Sequence, residues 1–150
     1  MAYADHVNES LWNDRYAWLR RKDDAAAGSW GCVFVSTHGI LLSYDIETAF
    51  CAGAWVSVIV LACAAIDATI RDTDAGDYTS SSKLVFGEDA ELQRLRVVRN
   101  KLVHVAAPDS DRALPDEASN DVAKFHESFE EDARAAMELL YRTIYAIKGT

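Results

Sequence analysis

The chain has 150 residues and a mass of 16.6 kDa, which suffices for one domain with a buried core. Half of the residues are hydrophobic, and 15 Lys and Arg against 24 Asp and Glu give a net charge of −9. This composition excludes an intrinsically disordered chain and a general cationic coat for nucleic acid or anionic membranes. We therefore treat residues 1–150 as one domain, in which only a local basic site could bind RNA.

The first predicted helix spans about Asp5 to Ala27, because apolar residues recur there at helical spacing. They are Leu11, Trp12, Tyr16 and Leu19. The next stretch, Gly28 to Ser43, contains the strand-favouring residues Val33, Phe34 and Val35. Because no strand partner is evident elsewhere, we predict a packed turn or a short helix there.

The second main helix is predicted from Tyr44 to Arg71, about 28 residues and roughly 42 Å long. Its segment Thr48 to Ile66 carries no charge and approaches the roughly 20 residues that a membrane span needs. Acidic residues flank the segment, and the positive flanks of a membrane span are missing. Many small residues also permit close approach of another backbone, so we predict a long, buried, Ala-rich central helix.

Two further helices follow a loop at Asp72 to Gly87. One runs from about Glu88 to Ala106 and carries an apolar stripe of Leu95, Val98, Leu102 and Val105. The other runs from about Ser119 to Lys148, with Ser119 as the N-cap and Gly149 as the C-cap. The predicted fold is an all-α bundle of four to five helices, without the alternating strands or Gly-rich loop of a nucleotide-binding α/β domain.

The cysteines and the N-terminus indicate a cytoplasmic protein. Cys32, Cys51 and Cys63 are odd in number and lack CxxC spacing, which favours buried thiols in a reducing compartment. The first eight residues show neither the basic nor the apolar region of a secretory signal.

Isolated histidines and tryptophans offer weaker signals. His6, His38 and His126 lack metal-ligand spacing, so we expect no metal site, and we place His126 on the surface. The four tryptophans could stack nucleobases, but their helical spacing favours the core. They are Trp12, Trp18, Trp30 and Trp55.

A basic run lies on the third main helix. Residues 94–104 contain no acid and five basic residues: Arg94, Arg96, Arg99, Lys101 and His104. At about 100° per residue, Arg96, Arg99, Asn100 and His104 share one arc on the side away from the apolar stripe. This arc is therefore predicted to face a groove or a partner.

These residue types suit metal-independent cleavage of RNA. An imidazole, with an ordinary pKa of about 6.5, can accept a proton from a ribose 2′-OH or donate one to the leaving 5′-oxygen. A guanidinium can hold the phosphate and stabilise the added negative charge of the transition state, while Asn100 can orient either group. Because one imidazole cannot be base and acid at once, a symmetric dimer would supply the second copy.

Other interpretations of the same residues remain. His104 could simply bond the last carbonyls of its helix. Arg94, Arg96 and Lys101 fit a solvated face or phosphate-positioning residues better than catalysts. Asp67 could be an acidic partner of Arg96 or Arg99, or the polar end of the buried helix.

The run from Arg99 to His104 resembles the R-x4-H motif, in its R-N-x-x-x-H form, of the HEPN superfamily (higher eukaryotes and prokaryotes nucleotide-binding). The resemblance covers about Ile46 to Ile147 and leaves residues 1–43 unexplained. It implies a four- or five-helix bundle in which a long alanine-rich helix precedes the motif. It also implies a homodimer with a composite site in which Arg99 and His104 are catalytic and Asn100 is accessory.

Many HEPN proteins are metal-independent endoribonucleases that act as toxins or in antiviral defence. The resemblance therefore implies cleavage of RNA to a 2′,3′-cyclic phosphate without a cofactor, and restraint by an antitoxin or another regulatory protein. The alternative is a non-catalytic dimerisation, interaction or nucleotide-binding module, since some members are inactive.

Overall fold

Residues 7–28, 37–73 and 90–146 are described by a computed structural model, and within them the chain forms helices and loops without a strand. The helices are α1 (Glu9–Ala27), α2 (Thr37–Cys51), α3 (Trp55–Thr73), α4 (Ala90–Val103), α5 (Glu117–Asn120), α6 (Val122–Glu127) and α7 (Glu130–Ala146). The predicted all-α class is confirmed.

The core lies between α2, α3 and α7. Helices α2 and α3 pack along each other, α7 lies against α3, α1 covers α7 and α2, and α4 packs on α3 and α7. The largest side chains fully removed from solvent include Leu19, Ile46, Phe50, Trp55, Ile59, Ile66, Met137 and Leu140. These side chains come from α1, α2, α3 and α7. Since burial of each stabilises the fold by about 1.5–3 kcal/mol, these four helices contribute most of the hydrophobic stabilisation.

The central segment is two helices, so the predicted continuous helix from Tyr44 to Arg71 is wrong. The chain reverses between Cys51 and Trp55, where Gly53 has a φ of +75°. Ala54 N–H donates to Ala49 C=O at 2.8 Å and Gly53 N–H donates to Phe50 C=O at 3.0 Å, which is the Schellman pattern of a helix C-terminus. Across the described ranges, none of the helices combines the length and apolar character that crossing a bilayer requires.

The predicted C-terminal helix is also interrupted. Ser119, predicted as its N-cap, lies within the short α5, and its hydroxyl donates to Asp116 C=O at 2.8 Å. The N-cap of α6 is Asp121, whose carboxylate accepts from Lys124 N–H at 3.0 Å. The predicted helix start at Glu88, the C-cap at Gly149 and most of the loop from Asp72 to Gly87 lie outside the described residues.

The apolar stripe of α4 is confirmed in part. Leu95 is buried, and Val98 and Leu102 pack against the core. Val105 is fully exposed, because α4 ends at Val103 rather than at about Ala106. The stripe therefore stops one turn earlier than its sequence spacing predicts.

Tryptophans divide between core and surface. Trp55 is fully buried, and Trp18 stacks on Phe50 with ring centroids 5.1 Å apart. Trp12 is exposed, contrary to the prediction, and Trp30 lies outside the described residues.

His126 is only 7% exposed, so its predicted surface position is wrong. The indole of Trp55 donates to the neighbouring Glu127 carboxylate at 3.3 Å, which holds the end of α6 against α3. Cys51 and Cys63 are buried as predicted, and Cys32 is outside the described residues.

Arginines attach α1 to the rest of the bundle. Arg15 donates from Nη1 to the Cys51 carbonyl at 3.1 Å and lies 4.7 Å from the centroid of the Trp55 ring. Arg20 forms ion pairs with Asp23 and with Glu47 on α2. These contacts satisfy the C-terminus of α2 and fix its position relative to α1.

Two tyrosines of α7 complete this polar contact. Tyr141 donates its hydroxyl to Glu47 at 3.2 Å, and Tyr145 donates to Asp23 at 2.6 Å. Burial raises the pKa of Tyr141, and burial together with the Asp23 hydrogen bond raises the pKa of Tyr145 to about 12. Both hydroxyls therefore remain donors well above neutral pH.

Candidate active site

The end of α4 carries the predicted site. Leu92 and Leu95 are buried where α4 packs on α3 and α7. The opposite side of α4 is not covered by these two helices. The helix ends at Val103, and His104 follows it, with His104 N–H donating to Asn100 C=O at 3.0 Å. His104 is thus held by the last helical hydrogen bond although it lies beyond the helix.

Arg94 and Arg96 already contact carboxylates of neighbouring helices. Arg94 Nη1 donates to Asp132 on α7 at 2.7 Å, and Arg96 Nη2 donates to Asp67 on α3 at 3.1 Å. The proposed pairing of Asp67 therefore occurs with Arg96. A phosphate would have to compete with these carboxylates for both guanidinium groups.

Arg99 differs from these two arginines. It is half-buried, its Nε is shielded from solvent without a hydrogen-bond partner, and it forms no ion pair with a carboxylate in the described ranges. It lies near Cys63 on α3: burial raises the pKa of that thiol to about 11, against the opposing effect of the Arg99 charge. Within the described residues, no carboxylate therefore competes with an anionic ligand for its charge.

His104 is exposed and lines a groove of about 350 Å³. The groove is formed by the end of α4 and the loop that follows it. Its walls include Lys101, Val103, His104, Val105, Leu114 and Asp116. His104, the one histidine of the predicted catalytic set, therefore lies on a concave, largely apolar surface, which is typical of ligand sites.

Only part of the predicted set meets in this groove. Lys101 and His104 line it together, whereas Arg99 does not. Positions five residues apart diverge by about 140° on an α-helix, and their Cα atoms are separated by about 7.5 Å along the axis. Asn100 is half-buried and also stays outside the groove lining. One copy therefore presents Arg99 and His104 in different directions.

The loop after α4 supplies walls that the sequence analysis missed. Pro108 and Leu114 line the groove, and the loop folds back through hydrogen bonds from Ser110 N–H to Ala107 C=O at 2.9 Å and from Ala113 N–H to Ser110 C=O at 3.0 Å. The two prolines at 108 and 115 signal a turn. Nothing in their spacing indicates which side chains the turn brings back to His104.

The remaining candidates lie apart from this groove. His38 is exposed on α2 with Nδ1 3.8 Å from Asp72, and His6 is outside the described residues. Within residues 7–28, 37–73 and 90–146, no three His, Cys, Asp or Glu side chains are grouped so as to hold a metal ion.

Compared with known proteins, the chain matches no family model, no curated protein and no solved structure.

Proposed function

We propose that this chain is a HEPN-like, metal-independent endoribonuclease whose active site combines Arg99 and His104 from two copies. The 2′-oxygen attacks the adjacent phosphorus and the bond to the 5′-oxygen breaks, which leaves a 2′,3′-cyclic phosphate and a 5′-hydroxyl. One His104 accepts the 2′-OH proton, and the other His104 donates a proton to the leaving oxygen. Arg99 stabilises the negative charge that develops on the phosphate.

Two observations carry the proposal: His104 is exposed in a groove, and Arg99, on the preceding helix, has no ion pair within the described residues. Of the three arginines on α4, two are neutralised by Asp132 and Asp67, while Arg99 has no such partner in the described chain. These two residues are also the ones that the R-x4-H resemblance designates. Arg94 and Arg96, proposed from the sequence to position phosphate, are better explained as links from α4 to α7 and α3.

A second copy would solve two problems of the single chain. It would supply a second imidazole. It would also allow Arg99 of one copy to approach His104 of the other, although Arg99 and His104 of the same copy are held apart. Val97 of α4 is 53% exposed, so an apolar side chain is available there for contact with a second copy. Doubling the cations there would create a local positive cleft in a chain of net charge −9.

Cleavage of a fluorescent RNA panel in EDTA tests the proposal. We expect the wild-type chain to cut RNA but not a 2′-deoxy oligonucleotide, leaving cyclic phosphate ends. His104→Ala should slow cleavage by about 10²- to 10⁴-fold, because it removes general acid and base assistance. Arg99→Ala should also slow cleavage, while His38→Ala, which removes an exposed histidine on α2, should leave the rate unchanged.

The nuclease proposal fails if His104→Ala cuts at the wild-type rate. It also fails if a chain that light scattering shows to be dimeric leaves the whole panel intact. A restraining antitoxin or other regulatory protein is a further prediction, and it would be sought by co-purification with the active chain.

Exposed apolar side chains around α4 favour a second candidate, a non-catalytic dimerisation or interaction module. They are Val97, Val103, Val105 and Leu114. Val97→Asp distinguishes the two candidates when association and cleavage are measured together. For the nuclease, both fall; for the interaction module, association falls although no variant cleaves RNA. Calorimetric titration with ATP tests the nucleotide-binding form of this module.

A further inference from the structure

The groove beside His104 contains a carboxylate that the proposed cleavage reaction does not use. Asp116 is exposed, its side chain makes no capping hydrogen bond, and it forms no ion pair with a cation in the described residues. It lines the same groove as Lys101 and His104. Both carboxylate oxygens are therefore available as hydrogen-bond acceptors.

A carboxylate at this position disfavours the phosphate of an RNA substrate and favours a base. It repels a phosphate, whereas it accepts hydrogen bonds from N–H groups of a base. The apolar walls formed by Val103, Val105 and Leu114 suit the flat face of an unstacked base, and Lys101 suits the adjoining phosphate. Proteins commonly read single-stranded RNA in this way, by packing a base and hydrogen-bonding its edge.

Guanine fits these groups best among the four bases. Its N1–H and N2–H₂ groups are neighbouring donors on one edge, so they match the two oxygens of one carboxylate. Cytosine and adenine offer an amine beside an acceptor nitrogen, and uracil offers one N–H between two carbonyl oxygens. A bidentate contact is therefore available only to guanine.

We propose that the groove binds an unpaired guanine and that Asp116 determines this specificity. The placement of the scissile phosphate next to that base, near Lys101 and His104, rests on the proposed nuclease function. Asp116 itself reads the base and takes no part in proton transfer. The substrate is then single-stranded RNA cut beside guanosine.

Inosine tests this inference, because it differs from guanosine only by the missing N2 amine. Guanosine 3′-monophosphate and inosine 3′-monophosphate are titrated into wild-type chain, and binding is followed by calorimetry. Since a bidentate contact to a base discriminates by about 1–3 kcal/mol, we expect guanosine 3′-monophosphate to bind about 5- to 150-fold more tightly. Asp116→Asn should abolish the difference, because an amide presents one acceptor and one donor.

Glu117→Gln is the matched control, since it removes the same charge from the next residue, which is exposed and does not line the groove. It should keep the guanosine preference. Equal affinity of the wild-type chain for the two nucleotides would overturn the inference. So would a preference that survives in Asp116→Asn, or one that Glu117→Gln removes equally.

A parallel cleavage assay separates this inference from the proposed function. The substrates are two RNA oligonucleotides that differ by one guanosine-to-inosine replacement. Cleavage with equal rates at both would support the nuclease and reject the role of Asp116. Guanosine-selective binding without cleavage would support Asp116 as the base-reading residue and reject the nuclease.

Discussion

Cations are used differently in two regions of this molecule. Around α1, Arg15 bonds the Cys51 carbonyl and packs on Trp55, and Arg20 pairs with Glu47. At the end of α4, Arg99 has a buried Nε without a partner and His104 opens onto a groove. The first region uses its charges to hold helices together, whereas Arg99 makes no such ion pair within the described residues.

This difference has an energetic meaning. A buried polar atom without a hydrogen bond lowers stability, and this applies to the Nε atoms of both Arg20 and Arg99. Arg20 offsets the cost through its ion pairs with Asp23 and Glu47, whereas Arg99 forms no ion pair within the described residues. Proteins commonly retain such groups where function requires them. Substitutions in the first region should therefore lower stability, whereas substitutions at Arg99 and His104 should have little effect on stability and should mainly reduce the proposed RNA cleavage.

The largest expected effect on stability is in the first region. Trp55→Ala removes a fully buried indole that packs against Arg15 and Phe50 and bonds Glu127, so we expect a loss of about 3–5 kcal/mol in the free energy of unfolding. Urea denaturation followed by circular dichroism measures it. Trp12→Ala, at an exposed position of α1, is the control and should lose far less. Equal losses would contradict the assigned core.

The turn between α2 and α3 should be the next most sensitive position. Gly53→Ala places a Cβ at a φ of +75° and 2.9 Å from Arg15 Nη1, so we expect a loss of about 1–3 kcal/mol. The same substitution in an Arg15→Ala background separates backbone strain from the collision. A fully tolerated Gly53→Ala would show that α2 and α3 join in another conformation.

A pair of substitutions on α4 tests the comparison directly. Arg96→Met breaks the ion pair with Asp67 and should lower the free energy of unfolding by about 0.2–1 kcal/mol. Arg99→Met removes the unpaired Nε and should leave stability unchanged or raise it by up to about 1 kcal/mol. Thermal unfolding of both variants beside wild type measures the contrast. A larger loss for Arg99→Met would indicate that Arg99 is structural.

The smallest effect is expected at alkaline pH. Tyr145 has an ordinary pKa of about 10 when unfolded and of about 12 when folded, because burial and Asp23 favour its protonated form. Its contribution to stability is therefore complete below about pH 10 and is lost as the pH rises through about 12. Urea midpoints between pH 9 and pH 12 should fall less steeply for Tyr145→Phe. Parallel curves for the two proteins would reject this contribution.

Periodicity predicted the class of fold but not its breaks. Apolar spacing located both α1 and α4, but it marked the buried side only in α4, where Leu95 is buried. In α1, Leu19 is buried, whereas Leu11, Trp12 and Tyr16 of the same predicted stripe are exposed. Residues 48–66 carry no charge, so they show no alternation of polar and apolar positions. The reversal at Gly53 therefore interrupts no periodic pattern. Gly53 is the one glycine among residues 48–66, and its residue type, which favours the positive φ that it adopts, was the available signal of the break.

The candidate site residues come from the sequence and remain predictions, while their ion pairs were visible only in the structure. A helical wheel groups Arg96, Arg99 and His104, but it cannot show that Asp67 reaches Arg96 and leaves Arg99. Asp116 lies twelve residues beyond His104, so it enters the groove only through the path of the loop. His126 was misplaced because its acidic neighbours suggested a solvated face, while Trp55 binds one of them.

The three-residue turn between α2 and α3 also bears on the order of folding. Closing so short a connection loses little chain entropy, and contacts that are local in sequence form quickly. We therefore expect the α2–α3 hairpin to form early and to provide the surface on which α7, more than 55 residues further along the chain, docks late. Destabilising α7 should then speed unfolding more than it slows folding.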